Sequence, residues 1–276
     1  MELTIIQGIQ MDFSEPGLLG KTGLSVGRLG VGSGYGAPAA AYEEAFESGC
    51  NYFYWTLRRA GMRDAIKNIC GQGKRDQLII AIQSYSRSEL LMEIFTKKAL
   101  KSLGLNEVDI FLLGWHQRQP SRRVINKALQ MKKKGYFRFL GMTGHNRPLF
   151  PQMARLGVFD LFHIRYNAAH RGAETETFPH LKGDNRPGIV TYTATRWGQL
   201  LNPGKMPDGE RPISAADCYR FVLSNPAVDV CLCGPKNLKQ MREALLSLNA
   251  GPLDAHELER IRRIGDVVHA NTMKFW

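Results

Sequence analysis

Residues 108–142 contain the repeating unit that decides the fold. The unit consists of Val108-Asp109-Ile110-Phe111-Leu112-Leu113, a helical stretch from Ser121 to Lys134, and then Phe137-Arg138-Phe139-Leu140-Gly141-Met142. Short apolar runs of this kind, rich in β-branched and aromatic residues, are typical of buried strands. The helical stretch stops just before Gly135, and helices commonly end at a glycine. The segment therefore predicts a strand, a helix and a second strand in sequence.

The same alternation of strand and helix continues on both sides of this unit. The other six strands are predicted at Ser25 to Gly32, Asn51 to Tyr54, Leu78 to Gln83, Leu161 to Arg165, Gly188 to Tyr192 and Val228 to Cys233. Eight strand–helix units in about 225 residues predict an α/β protein with a (β/α)₈ TIM barrel, a single domain over residues 1–276. A short extension precedes the first strand, and an extra helix from Ala255 to His269 ends the chain. In such a barrel the functional face is formed by the C-terminal ends of the strands.

The main structural alternative is a doubly wound open sheet, which often carries a glycine-rich phosphate loop after its first strand. Gly30-Val31-Gly32-Ser33-Gly34-Tyr35-Gly36 is rich in glycine. However, it misses the G-x-G-x-x-G spacing, and no acidic residue follows at the end of the second strand. The barrel is therefore the better interpretation.

Composition indicates an ordinary globular protein. Of the 276 residues, 43% are hydrophobic and 22% are charged, and a chain of this length can bury a substantial core. No apolar run approaches the roughly 20 residues that a membrane-spanning helix needs. Met1-Glu2-Leu3-Thr4 lacks the basic and then apolar pattern of a signal peptide. We therefore expect a cytoplasmic protein that does not bind membranes.

The formal net charge of +12 raises the question of nucleic-acid binding. Lys132-Lys133-Lys134 is one of its basic clusters, but no stacking motif or nucleic-acid module accompanies it. The cluster comes just before Gly135, where cations suit the C-terminal end of a helix dipole. We interpret it as a helix end, and we expect no nucleic-acid partner.

The five cysteines are scattered along the chain, with Cys231 and Cys233 closest together. In a strand these two side chains share one face, which allows a metal or redox pair. No second pair at ligand spacing exists to complete a zinc site. We therefore expect buried, reduced cysteines and no metal.

Several stretches around the predicted barrel match one known family in order. Leu19 to Gly32 matches its N-terminal turn and first strand, Lys134 to Thr143 its fifth strand, and Phe221 to Asn237 its closing strand and helix. On these residues the chain resembles the aldo-keto reductases over nearly its whole length. The resemblance implies NADP(H) bound across the barrel mouth and hydride transfer to a carbonyl.

The resemblance also implies a catalytic aspartate, tyrosine, lysine and histidine, and these positions are substituted. Tyr54 stands in place of the acid, Gln83 in place of the lysine and Gly114 in place of the histidine. The tyrosine has no counterpart in residues 54–61. A carbonyl oxygen gains charge as hydride arrives, so a proton donor must be in reach, and losing one typically costs about 10²- to 10⁴-fold. The sequence therefore excludes the family's standard mechanism.

The residues that the resemblance assigns to the cofactor site are better retained than the catalytic ones. Lys236, Asn237, Gln240 and Glu243 correspond to the residues that hold the adenosine 2′-phosphate and adenine of NADP(H). A helix N-terminus beside a lysine attracts phosphate. Tyr192 corresponds to the aromatic residue that stacks on the nicotinamide. The alternatives are an ordinary capped helix with a surface lysine and a barrel-rim tyrosine.

The residues that grip the nicotinamide carboxamide in that family are altered. Thr143-Gly144 stands at the position of a serine–asparagine pair on the fifth strand, and His163 at that of a glutamine on the sixth. The reactive end of the cofactor site is therefore less well matched than the phosphate end.

Three other side chains are candidates for replacement chemistry. Tyr54 could donate a proton, with Arg58 or Arg59 lowering its pKa. His116 and His145 could act as acid or base near neutral pH. The alternatives are an aromatic residue that fills a lost site and histidines that are only polar surface.

A polar run after the sixth strand completes the predicted mouth. It contains Arg165, Tyr166, Asn167, His170 and Arg171, and Arg196 with Trp197 could line the same opening. A mouth poor in acids and rich in arginine favours an anionic ligand over a divalent metal.

Together these features indicate an NADP(H)-binding oxidoreductase-type pocket. It would act on a small anionic or carbonyl-bearing substrate through a non-standard site. Two alternatives remain open. One is a non-redox lyase, dehydratase or isomerase on the same barrel, and the other is a catalytically silent binding or regulatory protein.

Overall fold

The structure, a computed structural model, describes residues 12–271. Its strands are β1 Gly17–Leu18, β2 Ser25–Val26, β3 Leu29–Gly32, β4 Tyr52–Trp55, β5 Ile79–Ser84, β6 Val108–Leu113, β7 Phe137–Gly144, β8 Leu161–Arg165, β9 Gly188–Tyr192 and β10 Val230–Cys233. Its α-helices are α1 Ala39–Glu47, α2 Ala60–Gly71, α3 Glu89–Leu103, α4 Arg122–Lys133, α5 Leu149–Ala154, α6 Ala173–Glu176, α7 Ala215–Leu223, α8 Leu238–Ala250 and α9 Ala255–Ala270.

Strands β3 to β10 form a closed parallel barrel in sequence order. Closure comes from β10, which pairs with β9 on one side and with β3 on the other, where Cys231 lies opposite Leu29. The predicted (β/α)₈ fold is thus confirmed, and so is the extra C-terminal helix, α9. No helix within residues 12–271 has the length and apolar character needed to cross a membrane.

The predicted first strand is divided in two. Its first part, β2, pairs antiparallel with β1, and the barrel strand β3 begins only at Leu29. The chain turns at Gly27, where a Cβ would lie 2.1 Å from the Gly49 carbonyl oxygen. Leu19 and Val26, both fully buried, close the N-terminal end of the barrel. The site must therefore open at the other end.

Side chains alternate between the two faces along most of the barrel strands, as the period of two requires. On β5, Ile79 and Ala81 face the barrel interior, whereas Ile80 and Ile82 pack against the surrounding helices. Gln83 continues the inward-facing row at the C-terminal end of the same strand. The barrel interior is thus apolar below and turns polar at the mouth.

Three aspartates anchor the N-terminal ends of strands in the same way. The carboxylate of Asp109 accepts the backbone N–H of Ile80 at 2.8 Å, that of Asp160 the N–H of Leu140 at 2.8 Å, and that of Asp229 the N–H of Ile189 at 2.8 Å. Each is also paired with a basic side chain. These charged side chains therefore stabilise the barrel at the end opposite the mouth.

Two local predictions are also confirmed. Cys231 and Cys233 are buried free thiols, which agrees with a packing role. Lys132 and Lys133 lie in the last turn of α4, and Lys132 pairs with Asp160 at 2.8 Å. The basic cluster is a helix end that also contacts a strand anchor.

Packing of α9 depends on a glycine. A Cβ at Gly265 would lie 2.2 Å from the Ala168 carbonyl oxygen, so Gly265→Ala must push the helix away from the barrel. We expect the free energy of unfolding to fall by about 2 kcal/mol, the middle of the range for overpacking. Gly71→Ala is the matched control, because Gly71 is also helical and has no atom within 4 Å of its added Cβ. Urea denaturation measures both, and equal stabilities would contradict the close contact.

Candidate active site

A cavity of about 850 Å³ opens at the C-terminal ends of the barrel strands. Its walls are rich in aromatic side chains, which include Tyr35, Tyr54, Tyr85, Trp115, Tyr192 and Trp197. The predicted residues Tyr54, His145 and Tyr192 are among those it brings together. Its size lies within the range of small-molecule sites, about 300–1,000 Å³.

The floor of this mouth cavity is built on a neutral hydrogen bond. The Tyr54 hydroxyl at the end of β4 donates to Gln83 Oε1 on β5 at 2.6 Å. Burial, followed by the nearby Tyr85, raises the pKa of Tyr54 well above its ordinary value. The prediction that Arg58 or Arg59 lowers the pKa of Tyr54 is therefore wrong. Both arginine side chains are exposed, and the backbone carbonyl of Arg59 is tied to Trp55 Nε1 at 2.9 Å.

The position of the Gln83 side chain leaves no room for a side chain at residue 114. A Cβ at residue 114 would lie 2.4 Å from Gln83 Nε2 and 2.9 Å from the Ser84 carbonyl oxygen. No side chain fits there while Gln83 keeps its place beside Tyr54. The three substituted positions therefore form one packed unit.

Gly144 is explained by the same kind of contact. A Cβ at this position would lie 2.0 Å from the His116 carbonyl oxygen, because the loop after β6 runs directly over the end of β7. The His116 N–H donates to the Thr143 carbonyl oxygen at 2.8 Å. The loop and the strand end are thus locked together.

His116 itself lies outside the cavity. Its side chain is buried, with 5% exposed, and Nε2 lacks a hydrogen-bond partner. Burial, with a smaller effect of Arg87, lowers the pKa of His116 to about 4. The imidazole is therefore neutral at pH 7 and does not face the ligand space.

Sequence reasoning missed the role of Tyr52 beneath the floor. Its hydroxyl is hydrogen-bonded to His163 Nε2 at 2.7 Å, and both side chains are buried. His163 also lines the cavity, with its ring 5.4 Å from that of Tyr54. The inward-facing positions of β4 and β8 were the available signal, since Tyr52 and Tyr54 share one face of their strand.

One wall is a row of three tilted rings. His145 lies between Trp115, at a ring distance of 6.0 Å, and Tyr192, at 6.3 Å. Burial and then Arg165 lower the pKa of His145, so it is a neutral base at pH 7. Burial raises the pKa of Tyr192 to about 12, and its hydroxyl donates to the Gly144 carbonyl oxygen at 3.1 Å.

The rim of the cavity is held in a strained backbone. Trp115, Thr193 and Trp197 have φ values of 50°, 62° and 53°, a region that bulky and β-branched residues rarely adopt. The two indoles are 57% and 49% exposed although they are large and apolar. Strain and exposed aromatic surface at one opening are typical of a ligand site.

The expected arginine-rich mouth is wrong. None of the described residues that line the cavity is Asp, Glu, Lys or Arg. Arg171 pairs with Asp266 of α9 at 2.7 Å, Tyr166 is buried and donates to Glu174 at 2.6 Å, and Arg196 is 4% exposed. The polar run ties α9 and α6 to the barrel, and only Trp197 of the predicted set reaches the opening.

The start of α8 lies just beyond the β10 edge of the cavity. Asn237 caps the helix by accepting the Gln240 N–H at 2.9 Å, and Gln240 Oε1 accepts the Lys236 N–H at 2.9 Å. Lys236 Nζ lies 5.7 Å from the centre of the Tyr35 ring, which itself lines the cavity. Glu243 follows on the same helix and is exposed. Lys236 is thus the cation that approaches this edge.

Burial of His163 makes a pH dependence testable. Burial lowers the pKa of His163 to about 3, whereas an unfolded histidine titrates near ~6.5. Below pH 6.5 the unfolded chain binds the extra proton, so stability is lost as the pH falls. We expect His163→Gln to reduce the slope of unfolding free energy against pH by about 1.4 kcal/mol per unit between pH 6 and 4. Urea denaturation over this range measures it, with exposed His256→Gln as the control. An unchanged slope would contradict the buried neutral state.

Comparisons with known proteins support the fold. No family model matches the chain, and no curated protein matches it in sequence. An aldo-keto reductase from Bacillus halodurans, in its holo form, has a TM-score of 0.74 at 18% identity and covers 91% of this chain and 96% of its own. Its apo form has a TM-score of 0.73 at 17% identity, covering 91% and 95%. The resemblance predicted from the sequence is thereby confirmed at the level of architecture: this chain has the (β/α)₈ fold of an aldo-keto reductase.

Proposed function

We propose that this protein binds NADP(H) across the barrel mouth and acts on a small, flat carbonyl compound in the aromatic cavity, with Tyr54 as the proton donor. The observation that carries the proposal is the position of the Tyr54 hydroxyl. It lies on the floor of an uncharged cavity, fixed by Gln83 and faced by rings on several sides.

A glycine strip supports the cofactor assignment. Gly32, Gly34 and Gly234 line the cavity where β3 meets β10. A Cβ at Gly34 would meet no atom within 4 Å, and one at Gly32 would lie 3.4 Å from the Cys233 carbonyl oxygen. The absence of side chains at Gly32 and Gly34 keeps room beside the rings for a large group. The residues present therefore fit a nucleotide laid along this edge.

The phosphate end would be held at α8. Lys236 supplies a cation there, and the first turn of α8 supplies backbone N–H groups, of which Asn237 caps one. Tyr192 would present its ring to the nicotinamide, and Thr143 and His163 are the polar side chains nearby in the lining. The bound cofactor would supply the hydride.

The protein's own part in the chemistry is to bind, orient and protonate. A carbonyl oxygen that becomes an alkoxide takes a proton even from a tyrosine whose pKa is raised, because the alkoxide is the stronger base. Tyr54 has one hydroxyl hydrogen, so its hydrogen bond to Gln83 Oε1 must break before that hydrogen can pass to the alkoxide. Within residues 12–271 the partner of the Tyr54 oxygen is the neutral Gln83 amide and not a cation, so the resulting phenolate would gain little stabilisation. We therefore propose slow turnover compared with a site that pairs its donor with a lysine.

The substrate class follows from the lining. A cavity without a charged side chain offers no ion pair to a carboxylate or phosphate, whereas its rings favour flat apolar groups. Of the two expected classes, anionic and carbonyl-bearing, we propose the uncharged carbonyl compounds.

Titration with NADPH and NADH tests the cofactor assignment. We expect Lys236→Ala to weaken NADPH binding by about 10- to 100-fold, the loss of one charge-assisted contact, and to affect NADH little because NADH lacks the 2′-phosphate. Lys98→Ala, on the exposed side of α3, is the control and should change neither. Binding followed by cofactor fluorescence measures all of these. Equal effects on the two nucleotides would refute the phosphate contact.

Replacing the proposed donor tests the chemistry. We expect Tyr54→Phe to lower kcat for reduction of an aromatic aldehyde by about 10²- to 10⁴-fold while leaving NADPH affinity unchanged. The wild-type rate should stay level from pH 6 to 9, because the raised pKa keeps Tyr54 protonated throughout. Tyr136→Phe, whose hydroxyl contacts Glu93 outside the cavity, is the control. A loss of less than threefold in Tyr54→Phe would exclude it as the donor.

A second candidate, non-redox proton transfer, is favoured by His145. This histidine lines the cavity, and its lowered pKa makes it a ready base at neutral pH. An isomerase or dehydratase would need such a base and no hydride. Failure of NADPH to bind, together with an activity lost in His145→Ala, would favour this candidate. Binding without any oxidation of NADPH would instead favour a silent regulatory protein.

A further inference from the structure

A second cavity of about 430 Å³ lies between α3 and the outer surface of β4 to β6. Its lining is mainly apolar and includes Trp55, Leu57, Ile82, Leu91, Phe95 and Phe111. We name it the α3 cavity.

The polar atoms around the α3 cavity are already satisfied. The Thr96 hydroxyl donates to the Met92 carbonyl oxygen at 2.8 Å, and the Ser84 hydroxyl oxygen accepts the Ser86 N–H at 3.2 Å. Gln83 Oε1 accepts the Tyr54 hydroxyl at 2.6 Å. No described residue of this lining has a buried side-chain nitrogen or oxygen without a partner. Water gains little in such a space, whereas an apolar group fills it well.

The α3 cavity adjoins the mouth cavity. Gln83 and Tyr85, at the end of β5, line both of them. Gln83 belongs to the inward-facing row of the strand, and Tyr85 is 61% exposed at the rim. A ligand in the mouth cavity therefore has an apolar space directly beside it.

We propose that the α3 cavity binds the aliphatic tail of a ligand whose flat, carbonyl-bearing head lies in the mouth cavity. The position of the head rests on the function proposed above, whereas the tail site rests on the lining of the α3 cavity. The tail passes Tyr85 and packs against Leu91 and Phe95. The volume of the α3 cavity falls within the range of small-molecule sites, about 300–1,000 Å³.

Benzaldehydes with para-alkyl chains from methyl to hexyl are suitable probes, titrated by tryptophan fluorescence without NADPH. Each methylene that enters an apolar site raises affinity by up to about fourfold. We expect affinity for the wild-type protein to rise steadily along this series.

Helix α3 offers a matched pair of variants. Leu91 and Phe95 line the cavity and are each 45% exposed, whereas Leu90 and Ile94 are 68% and 46% exposed and do not line it. The double change Leu91→Ala with Phe95→Ala should remove most of the increase in affinity with alkyl-chain length. The double change Leu90→Ala with Ile94→Ala should keep it. All four side chains are partly exposed, so both proteins should fold.

A filling variant gives an independent measurement. Ala99→Phe places a ring in the α3 cavity and should abolish the dependence on chain length while the methyl compound binds as before. If this variant does not fold, the pair of double variants decides the question.

Two results would overturn the tail site. One is an affinity that does not change from methyl to hexyl. The other is an equal loss in both double variants of the increase in affinity with chain length, which would place the alkyl chain on the exposed face of α3 and not in the cavity. Failure of the head assignment is distinguishable, since the methyl compound would then bind no better to the wild type than to Trp115→Ala while the gain with chain length persisted.

Discussion

Closure of the barrel by β10 is the constraint on which the rest of the structure depends. This short strand pairs with both β9 and β3, so the C-terminal ends of eight strands meet around one opening. The β1–β2 hairpin fills the opposite end with Leu19 and Val26. Residues as distant in sequence as Tyr54 and Tyr192 thereby line one cavity. The charged groups that anchor strands, such as Asp109 and Asp229, lie at the far end, where they cannot influence the ligand strongly.

Within this frame the substituted positions depend on one another. The hydrogen bond from Tyr54 to Gln83 needs the Gln83 amide to lie against residue 114, and only glycine leaves the space. Replacing Tyr54, Gln83 or Gly114 alone by the acid, lysine or histidine of the reductases would create a clash or leave a polar group unpaired. A buried ion pair loses much of its gain to desolvation, so a neutral pair of similar volume can be equally stable. The uncharged floor is therefore compatible with a stable barrel.

Much of the fold was predictable because strands and helices have local signals. The runs at Val108–Leu113 and Phe137–Gly144 are apolar and bounded by turn residues, and the structure places strands there. The sequence predicts the first strand as one piece from Ser25 to Gly32, although Gly27 and Arg28 interrupt its apolar residues. The bend at Gly27 comes from the Gly49 backbone, a contact between segments that no local pattern contains.

The site was less predictable, because position at a strand end does not fix the direction of a side chain. Tyr54, His145 and Tyr192 reach the cavity, whereas His116, in the loop just after β6, is buried outside it. Arg171 follows β8 but is drawn to Asp266, some ninety residues later in the chain. The acid that pairs with Arg171 belongs to the outer helix α9, whereas Asp109 and Asp229 pair with basic side chains at the opposite end of the barrel. A count of arginines therefore gave the wrong charge for the mouth.

Loss of charge at the floor and aromatic walls at the mouth have a common physical effect. Without ion pairs, binding depends on apolar contact area and on the shape of the rings, and both increase with the size of a ligand. The α3 cavity, which shares the lining residues Gln83 and Tyr85 with the mouth cavity, adds further area of the same character. A site of this kind discriminates ligands by size and flatness more than by charge. The floor, the aromatic walls and the α3 cavity together therefore describe a site in which packing outweighs charge, and in the proposed function Tyr54 is the hydroxyl group on its floor that gives up a proton.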